Sequence, residues 1–171
     1  MEGRSGISVP VVLADRFYLS DRSLEEIASL GGYEMAGAAD AADLAGKIGG
    51  SPAVKVIVSE YIRVNDLVLD RAPGLKGVIA YGAGYDHIDV EAMKRRKVQV
   101  CNCRGENAQA VAELTFGLLL GLMRSVHQAD RGVREGEWTK AGRALPEWAS
   151  GLELWRKTMG IVGLGQIGSV V

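Results

Sequence analysis

Two glycine-rich turns hold the residues whose type and spacing can do chemistry. The first is Gly163-Leu164-Gly165-Gln166-Ile167-Gly168, directly after the apolar run Thr158–Val162. In a G-x-G-x-x-G turn the first glycine permits a tight bend and the second lets the backbone approach a pyrophosphate. The third lets the following helix pack on the sheet. The helix start then offers free N–H groups to the anion. Gly163, Gly165, Gln166, Ile167 and Gly168 are therefore the candidate cofactor-binding residues. The competing reading is a glycine-rich turn without a ligand. The second turn is Gly82-Ala83-Gly84, directly after the β-like run Gly77–Tyr81. Successive N–H groups at the C-terminal end of a parallel strand can form an anion nest. Alternatively, the two glycines only permit a bend.

The remaining reactive residues give weaker signals. His87 and His127 are the only histidines, and neither is assigned acid–base work. Asp86 and Asp89 read as caps of local backbone. Cys101 and Cys103 should point to one face of a strand, where they read as buried small apolar residues. No metal-ligand set is evident.

These turns need a scaffold, and the chain alternates strand-like and helix-like segments. Val9–Ala14, Tyr33–Ala36, Val54–Val58, Gly77–Tyr81 and Val98–Cys103 read as strands. Between them lie helices over Ser20–Leu30 (with a Ser23/Glu26 capping box), Asp40–Ile48, a segment capped by Asn65 and stopped at Pro73-Gly74, and a segment capped by Asp89. Such alternation implies an α/β fold: a doubly wound parallel sheet of about five strands, covered on both faces. A long helix should begin near Asn107 and run to about Arg131. Its middle is apolar nearly all round, and Gly117 and Gly121 share one face. It must be buried on more than one side, either within the chain or against a second copy. Gly132–Gly151 reads as an irregular connection, and Thr158–Val162 as a sixth strand opening a second unit.

The 171 residues hold 20 Lys plus Arg and 21 Asp plus Glu, a formal charge of -1. That balance argues against a nucleic-acid binder. Hydrophobic residues are 47%, enough for a core rather than a disordered chain. The run Leu114–Met123 falls short of the roughly 20 apolar residues of a membrane span. Met1–Gly6 has no apolar core of the secretory kind, so the expected location is cytoplasmic.

Three blocks in order resemble one family. These are Gly82–Asp89, Asn107 with Val111-Ala112-Glu113, and Trp155–Gly168. Together they look like the N-terminal portion of a D-isomer-specific 2-hydroxyacid dehydrogenase. The resemblance implies a flavodoxin-like substrate domain (1–103), then the start of a Rossmann NAD-binding domain (104–171). It implies that Gly82, Ala83 and Gly84 bind the carboxylate of a small 2-hydroxy or 2-oxo acid and that Asn107 lies near the site, although Asn107 is also a plausible helix cap. It further implies NAD as cofactor and a homodimer through the long helix. The family's catalytic arginine, carboxylate and histidine follow the nucleotide turn, so no catalytic residue is assigned. Ser59 and Glu60 weigh against a phosphorylated substrate, with Arg63 a possible compensating charge. The resulting expectation is an NAD-dependent oxidoreductase, present here as an incomplete copy without its catalytic half. The reading from a different class is a non-catalytic dimerisation or partner-binding module on the same scaffold.

Overall fold

The computed structural model describes residues 8–16, 19–140 and 146–171. The N-terminal stretch read above for a leader lies outside them, as do 141–145 of the expected connection. The chain divides into two compact units, Met1–Arg104 and Gly105–Val171.

The first unit runs β1 (Val11–Leu13), α1 (Asp21–Ala28), β2 (Tyr33–Met35), α2 (Ala41–Ile48), β3 (Val56–Ser59), α3 (Asp66–Arg71), β4 (Gly77–Ala80), α4 (Val90–Arg96) and β5 (Gln99–Asn102). All pairings are parallel, in the order β2-β1-β3-β4-β5. This is the doubly wound order in which the chain reverses direction across the sheet between β1 and β3.

Local chemistry sets the helix ends. Asp40 Oδ1 accepts from the amides of Ala42 and Asp43 at 2.8 and 2.9 Å, and Gly49 closes α2 in the left-handed region at φ 64°. Asp89 Oδ1 caps α4 through the Ala92 amide at 2.9 Å. The expected Ser23/Glu26 box is not formed. Ser20 is the cap of α1, because its side chain accepts from the Ser23 amide. Glu26 instead pairs with Arg22 one turn back at 3.0 Å.

The sheet is not equally covered. Val12, Ile57 and Val78, all fully buried, face a core built with Leu44 and Ile48 of α2, Val68 and Leu69 of α3, and Met93 of α4. The opposite face holds a smaller cluster, Val11 and Leu13 with Ile27 of α1. Among the described residues of this unit, only α1 adds a helix to that second face. This corrects the expectation for the cysteines. Cys101 pairs in register with Ile79 on β4, lies on the second face of edge strand β5, and is exposed; Cys103 is half-buried.

In the second unit the expected single helix is two. α5 (Ala108–Met123) and α6 (Val126–Arg134) meet at a 58° bend. Ser125 sits at φ 51°. The Met123 carbonyl, freed by the break, accepts from the Leu152 amide at 2.7 Å. Gly151 permits that approach, since a Cβ there would lie 2.8 Å from the same carbonyl oxygen. The segment read as irregular contains a further turn of helix, α7 (Glu137–Lys140), and a 3-10 turn at Glu147–Ala149. Trp148 anchors it by donating to Glu137 Oε2 at 2.9 Å and lying over Gly132. Thr158–Val162 is not a strand. A strand needs neighbours to accept and donate its ladder bonds, and none pairs with it among the described residues.

Candidate functional site

Loops after β3 and β4 gather at the carboxyl edge of the sheet around a cleft of about 370 Å³. Glu60 and Tyr61 line it from the loop after β3. Tyr81, Gly82, Gly84, Asp86 and His87 line it from the loop after β4.

The glycine loop is fixed from two sides. The Cys103 amide donates to the Gly82 carbonyl at 2.9 Å, and Asn102 Nδ2 donates to the Ala83 carbonyl at 2.7 Å. The Gly82 amide turns inward to the Ala80 carbonyl at 2.9 Å, so it is not available to a ligand. Gly82 takes φ 152°, a region open mainly to glycine. The amides of Ala83 and Gly84 donate to no group among the described residues. Both residues are exposed.

The opposite lip is held by a residue that sequence reasoning missed. Asp15, two residues after β1 and only 8% exposed, reaches across the point where the sheet order reverses. Its Oδ2 accepts from the Glu60 amide at 2.8 Å and lies 3.1 Å from the Ser59 hydroxyl. Its Oδ1 accepts from the amides of Tyr61 at 3.1 Å and Ile62 at 3.2 Å. The available signal was an acidic residue closing the apolar run Val11-Val12-Leu13-Ala14.

His87 Nε2 lies 3.2 Å from the Ser59 carbonyl, which also accepts from the Tyr81 amide at 2.7 Å. The imidazole thus ties the β4 loop to the end of β3. Asp86 makes no side-chain hydrogen bond among the described residues, so it is not the backbone cap that was expected. It borders the cleft as a carboxylate. The Glu60 carboxylate, hydrogen-bonded to Tyr61 and adding its negative charge, holds the Tyr61 phenol above its ordinary range, with smaller contributions from burial and Asp15.

Gly82, Ala83 and Gly84 therefore share one loop of the first unit, while Asn107 belongs to the second unit. Asn107 precedes α5, is exposed and makes no capping bond. Its backbone, at φ -96° and ψ 6°, is not extended as a capping residue's is. The Gly105 carbonyl accepts from the Ala108 amide at 3.0 Å instead. His127 is exposed on α6, and Arg63 is exposed and does not line the cleft.

In the nucleotide turn, Gly163 takes φ 95°, and a Cβ on Gly168 would lie 2.1 Å from the Gly163 carbonyl oxygen. Space over Gly165 is open. The amides of Gly165, Gln166 and Ile167 are unpaired among the described residues, and Ser169 donates to the Gly165 carbonyl at 2.9 Å. The Gln166 side chain lies over Gly105. The turn offers a pyrophosphate close approach over Gly165 and free N–H groups, but among the described residues no helix follows it, so the expected helix start is not formed.

These features define a doubly wound α/β domain with a loop-built cleft at the carboxyl ends of its strands. The chain belongs to the D-isomer specific 2-hydroxyacid dehydrogenase family, whose catalytic-domain profile matches residues 11–162. The family that the three motif blocks resemble is thereby shown. It is 43% identical over 110 residues to a glyoxylate reductase of Pyrococcus horikoshii, covering 64% of this chain and 33% of that protein. It is 37% identical over 121 residues to a glyoxylate/hydroxypyruvate reductase of Arabidopsis thaliana, covering 71% of this chain and 36% of that one. The chain thus spans about a third of the length of these curated relatives. Among solved structures, it matches the NADPH-dependent glyoxylate/hydroxypyruvate reductase of Sinorhizobium meliloti, in complex with NADP and malonate. There the TM-score is 0.71 at 28% identity, covering 96% of this chain and 49% of that one.

Proposed function

We propose that these residues form the carboxylate-binding part of an oxidoreductase that reduces a small 2-oxo acid with NADH or NADPH. The observation that carries this reading is the pair of amides at Ala83 and Gly84 that find no partner among the described residues, on a loop clamped by Asn102 and Cys103. Two adjacent N–H groups at the end of a parallel strand suit a carboxylate. Ala83, with Gly84, donates to it, and Gly82 shapes the loop. The curated relatives' names, glyoxylate and glyoxylate/hydroxypyruvate reductases, favour a small acid without phosphate. The cleft's charge favours it too, because Glu60 and Asp86 border it and, among the described residues, no Lys or Arg does. A cation to balance the substrate must come from outside this cleft.

Gly163, Gly165, Gln166, Ile167 and Gly168 would hold the pyrophosphate of the nicotinamide cofactor. When bound, that group supplies the hydride delivered to C2 of the acid. No residue here is assigned the proton transfer. The exposed Leu114, Leu118 and Leu122 of α5, at 60%, 65% and 74%, support a homodimer through the α5–α6 segment.

The test is consumption of NADH and NADPH by the protein as its source expresses it, with glyoxylate or hydroxypyruvate added. Turnover with either acid and one cofactor is expected. No consumption in any of the four combinations contradicts the reading.

A further inference from the structure

We propose that Asp15 is a built-in anion and a positioning residue, which occupies the amide nest at the reversal point of the sheet and so fixes the cleft's outer lip. In this strand order the crevice between β1 and β3 is where an external ligand is expected to sit. Here the protein's own carboxylate fills it. Three successive amides, Glu60, Tyr61 and Ile62, converge on Asp15 at 2.8 to 3.2 Å, with the Ser59 hydroxyl beside them. That is the geometry of an anion nest, and the occupant is 8% exposed. Hydrogen bonds to an ionised acceptor are the stronger kind, and the amides left without it would be partly buried and unsatisfied.

Two consequences follow. The crevice is closed to a ligand anion, which leaves the unpaired amides of Ala83 and Gly84 as the place for a substrate carboxylate. The backbone of Glu60 and Tyr61 is held at the lip, so the cleft is formed before anything binds. Asp15 touches neither the cleft nor the substrate; it acts through the loop. The first consequence rests on the carboxylate reading above, the second does not.

The experiment uses the full chain, with glycolate as a 2-hydroxy acid probe and no cofactor added. Asp15→Ala should raise amide exchange at Glu60, Tyr61 and Ile62 at least tenfold and weaken glycolate binding about tenfold, with the far-UV spectrum unchanged. Formate, small enough to enter the vacated nest, should restore both, whereas pivalate at equal ionic strength should restore neither. Asp15→Asn, the same shape with one acceptor replaced by a donor, should fall between wild type and Asp15→Ala and should not respond to formate. It also serves if Asp15→Ala does not fold. Loop exchange in Asp15→Ala equal to wild type, or no difference between formate and pivalate, would overturn the proposal. If the wild-type chain does not bind glycolate, the carboxylate reading fails alone, and the exchange and formate results still decide the role of Asp15.

Discussion

Gly82 and Gly84 look equivalent in sequence, yet the structure gives them opposite sensitivities to alanine. Among the described residues no atom lies within 4 Å of a Cβ built on Gly82, so Gly82→Ala meets no steric barrier there. Its cost is the backbone at φ 152°, about 1–3 kcal/mol for a residue held in a region that L side chains rarely adopt. The reduced freedom of the unfolded chain returns about 0.4–1 kcal/mol. The net expectation is a loss of roughly 1–2 kcal/mol. Gly84 is not in that region, and its added Cβ would meet Asp86 Oδ2 at 3.9 Å, an ordinary contact. Gly84→Ala keeps only the unfolded-state gain and should be neutral or stabilised by up to about 1 kcal/mol. Urea unfolding of the two variants measures both. In a unit of this size, 1 kcal/mol moves the melting temperature by about 4–8 °C, so the separation is resolvable. A Gly82→Ala variant as stable as wild type, or a Gly84→Ala variant that loses more than Gly82→Ala, would refute the reasoning.

Other consequences are as specific. Leu44→Ala removes a fully buried side chain from the main core and should cost about 2–5 kcal/mol in denaturant unfolding. Leu118→Asp should convert a dimer to monomer in sedimentation, because it places a charge on a residue 65% exposed in the chain alone; an unchanged oligomer would place the interface elsewhere. Glu60→Gln should bring the Tyr61 phenol down toward 10.0, since the carboxylate that opposes tyrosinate formation is gone. Tyrosinate absorbance against pH reads this. For the wild type the sign is that a raised phenol stabilises the fold below pH about 10 and loses that contribution as pH rises through the folded value.

The sheet was legible because short β-branched runs, such as Val56-Ile57-Val58, alternate with capped helices; Asp40, Gly49 and Asp89 announced their ends individually. The glycine loop was legible from its place after a strand. Three things were not. The reach of Asp15 across the reversal point depends on strands 1 and 3 being neighbours, a long-range fact that local pattern does not carry. The break after Met123 depends on Gly151 and Leu152 arriving from almost thirty residues away. Thr158–Val162 has strand composition, yet a strand is a property of a pair. The exposure of Cys101 has the same origin: burial on β5 depends on which helices cover the second face, and α1 reaches only the other end.

The most direct measurement is a titration of the isotopically labelled chain with glycolate, followed by amide resonances. Saturable shifts centred on Ala83 and Gly84, with Gly82 held in place by its bond to the Ala80 carbonyl, are the predicted result. A titration that leaves Ala83 and Gly84 unmoved, or that moves Glu60 to Ile62 in their place, would contradict the assignment of the carboxylate site to the loop after β4.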